Sequence, residues 1–116
     1  MVKKLTFVRE SRLLKPIDFD FVFNNPKSVR ISYITILGRI NKRSYPRLGM
    51  IISKKNVKFS HERNLIKRII RESFRVNQHN IYLMDFIVIA KKGVVQIDNY
   101  SLREVLTKLW HRYYRY

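Results

Sequence analysis

A run of cationic side chains between residues 60 and 76 is the strongest chemical signal in this sequence. The stretch reads SHERNLIKRIIRESFRV, and at about 100° per residue it predicts a helix with two unlike faces. One face carries basic and amide side chains, namely Arg63, Asn64, Lys67, Arg68, Arg71 and Arg75. The opposite face carries Ile66, Ile69, Ile70, Ser73 and Val76. A dense strip of one charge sign is suited to binding a polyanion such as nucleic acid.

Several local features should set the ends and charge of this helix. Ser60 is a candidate N-cap, and Glu62 lies in the first turn, where a negative charge suits the helix dipole. Arg68 and Glu72 are spaced to pair. The preceding loop carries three lysines, a natural phosphate contact beside a helix N-terminus. An ordinary solvated face is the alternative interpretation, but the rest of the chain shares the same charge sign.

Composition predicts a single RNA-binding domain over residues 1–116. Hydrophobic residues make up 46% of the chain, enough for a core, and the net charge is +17, from 25 Lys and Arg against 8 Asp and Glu. The absence of cysteine fits a reducing cytoplasm, which is the expected location. The apolar runs are too short for a signal peptide or a membrane span, so no membrane partner is expected.

The sequence offers little for catalysis by the protein itself. A metal-dependent nuclease needs clustered carboxylates, and the closest acidic pair, Asp18 and Asp20, would diverge on a helix. The three histidines stand singly, and three glycines cannot form a glycine-rich phosphate loop. We therefore expect no catalytic residue and no protein-bound metal. A subunit that positions RNA for chemistry performed elsewhere fits better.

The remaining periodicity predicts the elements that must position the basic helix. Helices are expected at 16–24, after a proline suited to the first helical position, and from a capping box at Ser101 and Glu104 onward. Strands are expected at 33–40, 47–53 and 85–90. Residues 1–15 read as a basic arm, and residues 110–116 as a tail that frays. The fold class is α+β, an α/β sandwich of three helices and a mostly antiparallel sheet of about four strands.

The first helix has more aromatic residues than one buried face can hold. Phe19, Val22 and Phe23 form one stripe, whereas Ile17 and Phe21 point elsewhere. Core packing is one interpretation of the stripe. The other is a stacking platform for unpaired bases, because every base has a π-face.

Four segments together resemble the protein component of bacterial ribonuclease P over nearly the whole chain. They read SRLLKPIDFDFVF, RLGMIISKKNV, HERNLIKRIIRESFR and MDFIVIAKKG. The third is similar to the family's signature helix, whose core is R-N-R-x-K-R. The second is similar to the strand that ends in a lysine pair, and the fourth to the last strand and its basic turn.

The resemblance implies a fold, a reaction and two binding sites. The fold would contain a βαβ crossover of the rare left-handed kind. One protein would bind one catalytic ribonuclease P RNA, with no protein partner required, and the complex would remove the 5′ leader of precursor tRNA. The RNA would hold Mg²⁺ and perform the hydrolysis, and the protein alone would be inactive. RNA-subunit binding would fall to Arg63, Asn64, Lys67, Arg68 and Arg71. Leader binding would fall to Phe19, Phe23, Leu37, Lys54 and Lys55.

Two positions depart from the family's pattern. Leu65 stands where the signature has its second arginine, so one cationic contact is missing. Leu37 stands where many relatives have an aromatic residue, which predicts weaker leader stacking. Two alternatives remain open at this point: a ribosomal-type structural RNA-binding protein with no role in cleavage, and a stand-alone nuclease.

Overall fold

The computed structural model describes residues 9–115, which form three helices and four strands. The helices are α1 (Pro16–Asn24), α2 (Ser60–Asn77) and α3 (Asn99–His111). The strands are β1 (Lys27–Arg30), β2 (Ile34–Ile40), β3 (Arg47–Ile52) and β4 (Met84–Ala90). The predicted elements are confirmed with small shifts of their ends. The sequence did not locate β1, because this short strand has only one half-buried position and no clear alternation.

The strands form one mixed sheet in the order β1-β2-β4-β3. β2 pairs antiparallel with both β1 and β4, while β3 pairs parallel with β4. Since α2 connects β3 to β4, the predicted βαβ crossover and the α+β class are both confirmed. The left-handed sense of the crossover stays a prediction.

The sheet separates two hydrophobic cores, as a sandwich requires. Helices α2 and α3 cover one face in the main core, where Phe74, Phe86 and Trp110 are fully buried. Helix α1 covers the other face, where Leu13, Val22 and Ile87 form a smaller core. β4 is therefore buried from both sides, which explains its nearly continuous apolar sequence.

Helix α2 corrects three local expectations. Phe59 occupies the N-cap without a side-chain cap, so Ser60 is the first helical residue and not the cap. Val76 is 47% exposed, and the buried row continues instead through Phe74 and Asn77. Glu72 lies 3.9 Å from Arg103 of α3, so it contacts a basic side chain of the neighbouring helix and not the expected Arg68.

Asp98 caps α3, which corrects the expected capping box. Its carboxylate accepts a hydrogen bond from the Ser101 backbone N–H at 2.8 Å and one from the Ser101 hydroxyl at 3.0 Å. These hydrogen bonds lower the pKa of Asp98. The helix begins at Asn99, two residues before Ser101, because Asp98 is in extended conformation and occupies the N-cap position in place of Ser101.

The C-terminal segment is packed through Trp110 and Tyr113, contrary to the expectation that it frays from residue 110; residue 116 lies outside the described part of the chain. Trp110 is fully buried and its ring N–H donates to the Ser73 hydroxyl at 3.0 Å, which accounts for a serine on the buried face of α2. The Tyr113 hydroxyl lies 2.6 Å from the Lys27 carbonyl and 3.1 Å from the Ile36 carbonyl, joining β1 to β2. Burial raises the pKa of Tyr113 to about 12, so this donor stays protonated to a higher pH than an exposed tyrosine does.

The described part of the predicted basic arm is anchored to the edge of the sheet. Residues 9–11 form a 3-10 turn, and the Leu13 backbone N–H donates to the Leu48 carbonyl at 2.9 Å. Leu13 is buried under α1. Residues 1–8 of the arm lie outside the described part of the chain.

A buried ionic cluster joins β3, β4 and α1 beneath the N-terminal end of α1. Arg47 donates to both carboxylate oxygens of Asp85, at 2.9 Å and 2.7 Å, and Asp85 is 1% exposed. Asn41 also donates to Asp85, at 2.8 Å. Arg47 reaches Asp18 of α1 at 3.3 Å. The paired carboxylates raise the pKa of Arg47, and the cluster fixes where α1 begins over the sheet.

Candidate nucleic-acid interface

Helix α2 presents four of the five predicted RNA-subunit residues, together with His61, in two rows. His61, Asn64 and Arg68 are exposed and follow one line along the helix. Lys67 and Arg71 form a second, half-buried row, in which the aliphatic stems can pack while the charged ends remain at the surface. The structure therefore brings four of the five predicted RNA-subunit residues onto one continuous cationic face.

Arg63, the fifth of these residues, is engaged with the loop before α2. Its Nη1 donates to the Val57 and Lys58 carbonyls, at 2.9 Å each. These bonds hold the loop against the start of the helix. Arg63 thus has a structural contact that the sequence pattern did not indicate.

The predicted leader-binding residues lie around α1 and the sheet face beneath it. Leu37, Ile87 and Gly49 pair across β2, β4 and β3, so they form one row under α1. Phe19 lies directly over Gly49: a Cβ there would be 2.7 Å from the Phe19 Cζ. Phe23, one turn later, is 45% exposed. The aromatic stripe is therefore divided, with Phe19 partly packed and Phe23 open.

Two residues that the sequence reasoning missed extend this apolar surface. Ile89 and Ile51 pair in the next row of the same sheet face, and both are only half-buried. The row lies toward the end of β3, where the exposed Lys54 and Lys55 follow. Alternation along β3 could have identified Ile51, because Gly49 and Ile51 share the face of the strand that Leu48 and Met50 do not occupy.

A cleft at the β3 edge joins the two predicted sites. Its walls include Phe19 of α1, Gly49 of β3, and Lys67 and Arg71 of α2. Arg12, from the anchored arm, contributes a further cation to the same cleft. An RNA strand on the sheet face would therefore meet the cationic helix at this point.

Three of the described acidic side chains have structural roles. Asp18 and Asp85 pair with Arg47, and Asp98 caps α3. Within residues 9–115, no three His, Cys, Asp or Glu side chains group in a way that could hold a metal ion. Over the same residues, no helix combines the length and the apolar character needed to cross a membrane.

The sequence matches a known protein family over most of its length. The Ribonuclease P family model matches residues 7–114 of the chain. The chain belongs to the ribonuclease P protein family. It is 61% identical over 112 residues to the ribonuclease P protein component of Baumannia cicadellinicola subsp. Homalodisca coagulata, covering 97% of each chain. The corresponding protein of Escherichia coli strain K12 / DH10B is 54% identical over 112 residues, covering 97% of this chain and 94% of that one.

The fold agrees with this membership. A solved structure of the Staphylococcus aureus RNase P protein superimposes with a TM-score of 0.84 at 29% identity, covering 90% of this chain and 98% of that chain. Ribonuclease P is an endoribonuclease that processes the tRNA 5′ end, and this chain is its protein component. Ribonuclease P RNA and the tRNA substrate are accordingly its RNA partners.

A substitution at Leu65 tests how the missing signature arginine affects binding of the RNA subunit. The side chain is half-buried against the main core at the margin of the cationic face. We expect Leu65→Arg to steepen the salt dependence of RNA-subunit binding by about one unit, because one phosphate contact is added. Leu65→Gln, which introduces a polar side chain without a charge, is the control. Equal slopes for the two variants would contradict this prediction.

Proposed function

We propose that this chain binds the RNA subunit through α2 and the precursor tRNA leader through the groove beside α1, while the RNA performs the hydrolysis. One protein serves one RNA, without a further protein partner, in the cytoplasm. The observation that carries the proposal is the junction of two unlike surfaces. A cationic helix and an aromatic-apolar sheet face meet in one cleft lined by Phe19, Lys67 and Arg71.

The α2 surface is suited to a structured RNA. Its charges project from a rigid helix that is held by a fully buried row including Ile69, Ile70 and Phe74. Such charges contact phosphates, and phosphate contacts fix the position of a protein on RNA without reading its sequence. Arg68 and Asn64, the most accessible of the set, are the central contacts in this proposal.

The groove is suited to a single strand. Phe19 and Phe23 offer aromatic surface, Ile51 and Ile89 form an apolar floor, and the Lys54–Lys55 pair supplies charge where the floor ends. Single-strand sites combine stacking surfaces with a cationic path for the backbone. Leu37 lies in the row under α1 as part of the floor, so stacking is left to the two phenylalanines.

Magnesium belongs to the RNA subunit in this proposal. Hydrolysis of a phosphodiester bond is served by metal ions held close to the scissile phosphate. Three of the described carboxylates are paired with Arg47 or cap a helix, and within residues 9–115 no three His, Cys, Asp or Glu side chains group so as to hold a metal ion. The part played by this chain is to bind and orient the substrate strand beside the RNA.

Gly49→Ala should weaken leader binding through Phe19. The added Cβ would lie 2.7 Å from the Phe19 Cζ and 3.2 Å from the Leu13 Cβ, so the ring must leave its position. We expect a loss of about 1–3 kcal/mol in the free energy of unfolding. In the complex with the RNA subunit, leader-bearing tRNA should bind more tightly than leaderless tRNA. We also expect this difference in affinity to be smaller with Gly49→Ala than with the wild type. Gly49→Ala with Phe19→Leu should regain stability but not leader affinity. If this difference in affinity were the same for Gly49→Ala and the wild type, the role of Phe19 in leader binding would be contradicted.

Cleavage of precursor tRNA at low Mg²⁺ tests the proposed division of labour. The protein, a ribonuclease P RNA and their mixture are assayed separately, and we expect efficient cleavage at the mature 5′ end only in the mixture. A mixture no better than RNA alone would favour a structural RNA-binding protein. Cleavage by the protein alone would favour a stand-alone nuclease. Either result would contradict the proposal.

A further inference from the structure

An exposed aromatic stack lies at the start of α2, where it adds Phe59 to the N-terminal end of the exposed row formed by His61, Asn64 and Arg68. The ring centroids of Phe59 and His61 are 5.7 Å apart, and the ring planes differ by 22°. Phe59 is 53% exposed, and His61 is exposed as well. An aromatic side chain left this open contributes only part of its burial free energy to folding, so the stack has apolar surface available to a ligand.

The backbone that carries this stack is held firmly. Arg63 donates to the Val57 and Lys58 carbonyls, as described above, and Val57 is fully buried in the main core. The Val57 backbone N–H donates to the Ser53 carbonyl at 3.0 Å. The loop is therefore fixed on both sides of Phe59. A fixed aromatic surface loses little conformational entropy when a ligand stacks on it.

The charge around the stack identifies the chemistry of its occupant. The loop sequence from 53 to 61, SKKNVKFSH, contains three lysines and no acidic residue. The Lys58 ammonium lies 5.6 Å from the centroid of the Phe59 ring, within the range of a cation–π contact. A second copy of this chain, with a net charge of +17, would be repelled. An unpaired nucleotide supplies both features that the site matches, a π-face for the ring and a phosphate for the lysine.

We propose that the Phe59–His61 stack holds one unpaired base of the RNA subunit, and this inference rests on the proposed function. The base stacks on the Phe59 ring, and Lys58 moves from the ring to a phosphate of the same nucleotide. The RNA subunit is favoured over the leader because His61 begins the exposed line that continues through Asn64 and Arg68. The site therefore extends the α2 surface at its N-terminal end.

Binding of Phe59 variants to the RNA subunit alone tests this site. Phe59→Leu keeps an apolar side chain without a π-face, and Phe59→Trp keeps the π-face. We expect Phe59→Leu to weaken binding about tenfold, with an unchanged salt slope because no charge is altered. Phe59→Trp should bind nearly as the wild type does. Chemical probing should find one unpaired base of the RNA protected by the wild type and Phe59→Trp, and reactive with Phe59→Leu.

Three outcomes would overturn the inference. Phe59→Leu could bind the RNA subunit as the wild type does, with the same protected bases. The affinity loss of Phe59→Leu could appear only when leader-bearing precursor tRNA is bound, which would assign the stacked base to the leader. Its free energy of unfolding could fall enough to account for weaker binding, with Phe59→Trp impaired equally, which would assign Phe59 a structural role. If the wild type itself does not bind the RNA subunit, the proposed function fails first, so the two failures are distinguishable.

Discussion

Asp85→Ala should lower the free energy of unfolding by about 3–5 kcal/mol, the cost of leaving a buried charge without its partner. Asp85 is 1% exposed and accepts hydrogen bonds from Arg47 and Asn41. Its removal leaves Arg47 with only the more distant carboxylate of Asp18, at 3.3 Å. Chemical denaturation of the purified protein, followed by circular dichroism, measures the change.

Two further variants separate the buried ion pair from a general loss of charge. Asp20→Ala removes an exposed acidic residue of α1 and should change stability by no more than about 0.5 kcal/mol. Asp85→Leu combined with Arg47→Met replaces the pair by apolar side chains and should recover most of the loss. A cost below about 1 kcal/mol for Asp85→Ala would contradict the view that this cluster fixes α1 on the sheet.

Simultaneous replacement of Lys67, Arg68 and Arg71 by alanine should weaken RNA-subunit binding by about a hundredfold or more at 0.1 M salt. Three phosphate contacts would be lost from one face of α2, so the slope of log K against log salt should fall by about two to three units. Stability should change little, because these side chains are exposed or half-buried. Filter binding across a salt series measures both quantities.

A matched variant controls for net charge. Lys27, Lys108 and Arg112 are exposed and lie away from the cationic face of α2, on β1, on α3 and just after α3. Their replacement by alanine removes the same three charges and should reduce affinity far less. Equal losses in the two triple variants would mean that total charge, and not the α2 face, governs binding.

The elements with strong periodicity were predictable from sequence. The two faces of α2 follow from apolar residues at helical spacing. The burial of β4 on both faces follows from its nearly continuous run of apolar residues. β1 lacked such a pattern because it is a short, mostly exposed edge strand. The C-terminal segment was predicted wrongly, because a basic and aromatic composition does not reveal that the Tyr113 hydroxyl contacts backbone carbonyls of both β1 and β2.

The candidate sites were predictable only in part, for a physical reason. The cationic residues of α2 are adjacent along one helix, so spacing alone groups them. The groove and the Asp85–Arg47 pair join residues that are distant in sequence, and only tertiary packing brings them together. Asp85 begins an apolar run, which gave no indication that it is a buried partner for Arg47. Ile89 and Arg12 were not assigned to the groove for the same reason, whereas alternation along β3 could have identified Ile51.

The central claim is that one small protein joins the RNA subunit to the leader. It is tested most directly by comparing the affinity of the assembled complex for precursor tRNA with its affinity for mature tRNA. Both affinities are measured with and without the protein under conditions that prevent cleavage. We expect the protein to raise affinity for leader-bearing tRNA and to leave affinity for mature tRNA nearly unchanged. An equal gain for both, or no gain for either, would contradict it.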